Sequence, residues 1–235
     1  MSLSLFFRTF FAYTIFLMLM PMLCQAQERP IERLYTDVNA AVGMAFDNTG
    51  ALFVAEWSRG RVTRFSADGQ RTVFADGLSG PSGLAIHGDG SLYVASYSSD
   101  LIYRFTAQGE RSVFITGLAT PAGLSFDRSG QFLIANRRTN QILTITDSET
   151  LKPVISTLQT PVGAVQTPNG GYVVSNIGGG ITVLRPDGTR FEAGKAFKTP
   201  GPGITMTKEG RVFVVDYGGT TIQEILPNAT SRIIA

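Results

Sequence analysis

Short apolar runs, separated by polar turns that carry glycine, fill the chain from about residue 41 onward. Leu52-Phe-Val-Ala, Leu92-Tyr-Val-Ala, Phe132-Leu-Ile-Ala, Tyr172-Val-Val-Ser and Val212-Phe-Val-Val stand 40 residues apart. Successive apolar positions mean that both faces of the resulting strand must be covered, whereas alternation would leave one face in water. At an offset of 40 the chain also aligns two sets of glycines. One is Gly43, Gly83, Gly123, Gly163 and Gly203; the other is Gly50, Gly90, Gly130, Gly170 and Gly210. Five matches of five at two phases mark a structural repeat.

Each repeat predicts four short strands. In the second copy they cover 83–86, 91–95, 101–105 and 111–115, with turn signals His87-Gly-Asp-Gly and Ala107-Gln-Gly between them. Beyond the first 26 residues no segment keeps a helical apolar period. Units of four strands that bury both faces against their neighbours are propeller blades. The chain is therefore expected to be all-β, a β-propeller of five four-stranded blades with a 40-residue repeat. The alternative is an incomplete six-bladed ring, because fourth-strand segments number six: 33–36, 72–75, 112–115, 153–156, 190–193 and 232–235. An open ring would expose a sheet face and an edge and favour self-association. For closure, the segment 33–36 is expected to pair beside 222–226, placing both chain ends in one blade.

The first 26 residues read differently. From Phe11 to Leu23 the chain is almost wholly apolar, too short for a comfortable membrane span, and Cys24-Gln25-Ala26 follows. This is the pattern of a secretory signal peptide, leaving residues 27–235 as a single propeller domain that is secreted or periplasmic. A lipoprotein anchored at Cys24 is the alternative, though Met22 and Leu23 stand where small residues would be expected. Cleavage removes the only cysteine, so the mature chain forms no internal disulfide. It also removes Arg8, lowering the net charge from +2 to +1. Dispersed charge near neutrality gives no footprint for nucleic acid, and no stable membrane insertion is expected after cleavage.

The run Pro81-Ser-Gly-Leu-Ala, Asp89-Gly-Ser-Leu-Tyr-Val-Ala, Leu101-Ile-Tyr-Arg-Phe and Gly109 resembles an NHL-type repeat. It is also similar to the propellers of streptogramin lyases and of the gluconolactonase (senescence marker protein) group. The resemblance spans residues 31–235 and implies the propeller fold; those families include lactonases, lyases and binding modules, so it implies no single activity. It further implies that metal ligands, where such propellers have them, sit at the start of the channel-lining strands. The matching positions here are Val42, Ser82, Ala122, Val162 and Pro202. One hydroxyl among apolar side chains does not satisfy a hard cation. No metal site and no cofactor are expected, a divalent cation such as calcium being the alternative.

Two further sets recur at 40 residues. Glu56, Ser96, Asn136, Asn176 and Asp216 end the second strands. Read as chemistry, Glu56 and Asp216 are the candidate catalytic carboxylates; read structurally, the set fixes the following turns by bonding nearby main-chain groups. Trp57, Tyr97, Arg137, Ile177 and Tyr217 come next, with Arg59 and Arg138 close by. Aromatic faces and guanidinium forks suit planar ligands, sugars or carboxylates. Trp57, Tyr97, Arg137, Tyr217 and Arg59 are thus the candidate ligand-binding residues; packing between blades is the competing role. The single histidine, His87, falls in a turn on the opposite rim, which disfavours histidine-based acid–base or lyase chemistry. Gly178-Gly-Gly180 lacks the lysine and helix of a phosphate loop, and Asn228-Ala-Thr230 is a glycosylation acceptor only in a eukaryotic secretory pathway. The expected function is a binding module for a small molecule, glycan or protein at one rim. The alternative is a divergent lactonase-like hydrolase or lyase.

Overall fold

The structure, a computed structural model, describes residues 32–193 and 196–235. The expected signal peptide and Cys24 lie outside the described residues. Twenty strands form five antiparallel four-stranded sheets, each in simple up-and-down order. Blade 1 comprises β1 (Ala41–Phe46), β2 (Leu52–Glu56), β3 (Arg61–Phe65) and β4 (Arg71–Ala75). Blade 2 comprises β5 (Pro81–Ile86), β6 (Leu92–Ser96), β7 (Leu101–Phe105) and β8 (Arg111–Ile115). Blade 3 runs through β9 (Pro121–Phe126), β10 (Phe132–Asn136), β11 (Gln141–Ile145) and β12 (Leu151–Ile155). Blade 4 contains β13 (Pro161–Gln166), β14 (Tyr172–Asn176), β15 (Gly180–Leu184) and β16 (Arg190–Ala193). Blade 5 contains β17 (Pro200–Met206), β18 (Val212–Asp216), β19 (Thr221–Ile225) and β20 (Ser231–Ile233). The protein is a five-bladed β-propeller. Among the described residues no helix is long and apolar enough to cross a membrane.

The first strand of each blade lines the axis. A register shift interrupts its pairing with the second strand in all five blades, between Ala41 and Met44 in blade 1 and between Pro81 and Leu84 in blade 2. Such a bulge bends the strand, and here it lets the first residues splay away from the sheet at the rim. Proline opens β5, β9, β13 and β17, a position where its missing N–H does least harm to a ladder. The first glycine set sits at the bulge for a steric reason. A Cβ built on Gly83 would lie 2.3 Å from the Ala122 carbonyl oxygen of the next blade, and one on Gly123 would lie 2.3 Å from that of Val162. Adjacent channel strands can approach only because no side chain stands between them.

The hydrophobic core is divided among the blade interfaces. Phe53, Val62 and Leu78 meet Leu84, Val94 and Phe105 between blades 1 and 2. Tyr93, Ile102 and Leu118 meet Phe132, Ile134 and Leu143 between blades 2 and 3. Leu133, Ile142 and Leu158 face Val162 and Val174 across the next interface, and Val173 and Ile181 face Val212, Val214 and Ile225 across the fourth. These account for the doubly apolar second strands read in the sequence. The seam between blades 5 and 1 is looser. Met44 is 62% exposed, whereas its counterpart Leu84 is 5% exposed. A Cβ on Gly203 would meet only Val215 of its own blade within 4 Å.

The chain ends correct one expectation. Blade 5 is completed by β20, which pairs with β19 through Gln223–Ile233, Glu224–Arg232 and Ile225–Ser231. The ladder continues as the Ile222 N–H donates to the Ala235 carbonyl at 2.8 Å. Residues 33–36 form no strand. They lie as a strap on blade 1, with the Tyr35 ring stacked on Phe65 at 4.0 Å and Asp37 bridging Arg59 and Arg71. The edge of blade 5 goes to the C-terminal segment because it follows β19 through a tight turn, and short loop closure is the less costly in entropy.

Candidate functional site

The two periodic sets separate cleanly. Glu56, Ser96, Asn136, Asn176 and Asp216 are all buried, and each reaches back 17 residues to the loop entering its own blade. A Glu56 carboxylate oxygen accepts the Asn39 N–H at 3.0 Å. The Ser96 hydroxyl donates to the Ser79 carbonyl at 2.9 Å, and the Asn136 amide oxygen accepts the Ala119 N–H at 2.7 Å. The Asn176 amide oxygen accepts the Gln159 N–H at 3.4 Å, while Asp216 accepts the N–H groups of Lys198 and Thr199 at 3.0 and 2.8 Å. The principal bond therefore fixes the preceding inter-blade loop, where the sequence suggested the following turn. The set also reaches forward: the Asn136 and Asn176 amides donate to Thr139 and Gly180, and the Glu56 and Asp216 carboxylates accept from Arg59 and the Gly219 main chain in the turns that follow.

Glu56 is held further. Arg59 and Arg61 each donate at 3.0 Å, Arg71 donates at 3.4 Å, and Thr63 donates from the strand beside it. Burial pushes this carboxyl up, but the bonds from Thr63, the Asn39 amide and Arg61 outweigh burial and hold it at about 2. Burial likewise raises Asp216, and the main-chain donors Thr199, Lys198 and Gly219 bring it below its ordinary value. Each oxygen of both carboxylates thus accepts at least one hydrogen bond from the protein. Arg59 is tied to Asp37 and Glu56 and, unlike the other four residues of the expected binding set, does not line the cavity described next.

By pinning each entering loop, the buried set presents the residue that follows it at the rim. Trp57, Tyr97, Arg137, Ile177 and Tyr217, one from each blade, surround a cavity of about 420 Å³. Its floor is Val42, Ser82, Ala122, Val162 and Pro202, the starts of the five channel strands. The Trp57 and Tyr97 rings meet edge to face at 4.9 Å. The Arg137 guanidinium lies 5.7 Å from the centroid of the Tyr97 ring and donates to its hydroxyl. Ser82 is buried and its hydroxyl faces the Pro121 and Ala122 carbonyls at 2.9 and 3.1 Å, so the one polar side chain of the floor is engaged beneath it. Sequence reasoning missed Ala40 and Thr199 in the entering loops and Ala41, Pro200 and Gly201 at the first positions of β1 and β17, which complete the wall. The signal was positional, since they immediately precede Val42 and Pro202 of the floor.

His87 is absent from this wall. It sits in the turn between β5 and β6, its Nδ1 3.1 Å from Asp89. Among the described residues no cluster of three histidine, cysteine, aspartate or glutamate side chains forms a metal site.

The propeller shares its fold with solved structures of several activities. A gluconolactonase from Xanthomonas campestris superposes with a TM-score of 0.75 at 19% identity, over 85% of this chain and 77% of that one. This chain has the fold of the gluconolactonase and streptogramin lyase propellers. A catalytically inactive virginiamycin B lyase from Staphylococcus aureus, solved with quinupristin, gives 0.68 at 15% identity, over 84% and 70% of the two chains. The nidogen–laminin complex gives 0.69 at 21% identity, over 80% and 76%. No family model matches the chain, and no curated protein matches it in sequence.

Proposed function

We propose that the protein is an exported, non-catalytic binding module that takes a small ligand into the five-blade rim cavity. The observation that carries this reading is the composition of the wall. Five blades contribute Trp57, Tyr97, Arg137, Ile177 and Tyr217 to one concave, chiefly apolar site, the usual form of a small-molecule pocket. Among the described residues no carboxylate, amide or histidine that could act as a base lines it. The hydrolase or lyase reading has only the likeness of fold behind it, because Glu56 and Asp216 are engaged with main chain and arginines behind the wall.

Trp57 is the only tryptophan of the chain, so its emission is a local reporter. A panel of small aromatic fragments is expected to give saturable changes in that emission, weakened at least about fivefold by Tyr97→Ala, with no hydrolysis of D-glucono-1,5-lactone when calcium, manganese or zinc is added. Turnover above the blank, abolished by Glu56→Gln or Asp216→Asn in folded protein, would replace this reading with the enzymatic one.

A further inference from the structure

Resting on the proposed function, we infer that the rim cavity selects a compact monocarboxylic acid with an aromatic or cyclic apolar body, and that Arg137 is the residue that selects it. Among the described residues Arg137 is the one charged side chain in the cavity wall. A guanidinium carries five N–H donors in a planar fork and stays charged at any pH the fold tolerates. Here one donor is used on the Tyr97 hydroxyl, and among the described residues no carboxylate pairs with Arg137 within 4 Å. Other arginines of the same rim have acidic neighbours: Arg59 has Asp37 and Glu56, and Arg138 has Asp100 at 3.9 Å. Among the described residues the cavity thus holds one uncompensated positive charge beside aromatic surface, where reduced solvation strengthens a charge-assisted bond.

The same wall argues for the rest of the ligand. A single cation balances a carboxylate and leaves a phosphate dianion half-compensated. Sugar recognition needs several convergent donors and acceptors, yet the carboxylates and amides nearest the rim, from Glu56 to Asp216, are turned into the entering loops. In a five-bladed ring, blade 3 stands opposite the seam between blades 5 and 1. An acid bound at Arg137 therefore extends its body toward Trp57 and toward Tyr217, a residue that is 78% exposed. Tyr97 has a second part in this arrangement, because its hydroxyl and ring hold the guanidinium fork in place over the cavity.

The test compares 3-phenylpropanoate with its neutral isostere 3-phenylpropanamide, both transparent at wavelengths that excite Trp57, on the mature chain. The acid is expected to bind about tenfold more tightly than the amide, the scale of one charge-assisted pair. Arg137→Gln should erase that difference, bringing acid and amide to the same affinity, and Arg137→Lys should restore part of it. Circular dichroism and thermal melting of each variant separate loss of selectivity from loss of fold. Equal binding of acid and amide to the wild type, with Trp57 responding to both, overturns the acid selectivity and leaves the cavity as a binding site. Binding of neither probe at millimolar concentration overturns the selectivity together with the reading on which it rests.

Discussion

The carboxylate of Glu56 accepts the main-chain N–H of Asn39, 17 residues before it, and the same spacing recurs in every blade down to Asp216 and Thr199. This bond turns a repeat in sequence into a rim. It holds each entering loop against the end of the second strand, so that the next side chain is displayed to the cavity. Because the pinning group must be polar, small or flexible, and buried, the blades use five copies of one geometry with four different residue types.

Glu56→Gln is accordingly expected to act on stability. The change removes the charge that Arg59, Arg61 and Arg71 surround, and although Asp37 still pairs with Arg59 and Arg71, the partly buried Arg61 loses its acidic partner, at a cost of about 2 kcal/mol. Urea denaturation at neutral pH should report that loss. An unchanged midpoint would contradict the structural role.

The pH dependence follows from the same group. Both Glu56 and Glu224 are held at about 2, below the ordinary 4.5. For Glu224 the bonds from Arg211 and Arg232 are responsible, against the opposing effect of burial. A carboxyl depressed on folding gives stability that is complete above the unfolded value and is lost as pH falls through the folded one. Denaturant midpoints should therefore hold steady above pH 5 and decline between about pH 4.5 and 2. In Glu56→Gln the decline should be shallower.

The channel glycines separate closed interfaces from the seam. Gly123→Ala places a methyl 2.3 Å from the Val162 carbonyl oxygen, main chain that cannot step aside. A loss of about 3 kcal/mol is expected, lowering the melting temperature by about 6–12 °C. At Gly203 the nearest atom is a Val215 methyl at 2.9 Å, on a side chain that faces the loose seam. Gly203→Ala should cost about 1 kcal/mol or about 2–4 °C. Equal losses would mean that blades 5 and 1 pack as tightly as the others.

Truncation after Thr230 tests the closure of blade 5. It removes the Gln223–Ile233 and Glu224–Arg232 pairs and the Arg232 bond to buried Glu224 at 2.9 Å. The expected cost is about 2 kcal/mol, or about 4–8 °C of melting temperature. A melting curve matching the full chain would contradict the assignment of β20 to that edge.

Where the sequence was informative, the reason was repetition. Glycines at 43 and 83 and apolar quartets at 52 and 92 carry their meaning in their spacing, and the blades, turns and rim set of Trp57, Tyr97, Arg137 and Tyr217 followed from it. Arg33-Leu-Tyr-Thr36 misled because four extended residues look alike as an edge strand and as a strap; Tyr35 finds Phe65 and Asp37 finds two arginines only in three dimensions. The backward reach of Glu56 was hidden for the same reason. A hydrogen bond across 17 residues leaves no local mark, and Arg59, adjacent to the rim in sequence, was drawn to Asp37 and Glu56 by an ion pair between distant segments.

The most direct test of the binding account uses the single tryptophan. Protein labelled with 5-fluorotryptophan has one fluorine resonance, from Trp57 at the cavity wall. Aromatic carboxylic acids that bind by ligand-observed NMR should shift that resonance in a saturable way, with the shift diminished in Arg137→Gln. Acids that bind the protein while the Trp57 resonance stays fixed would contradict the assignment of the rim cavity as the site.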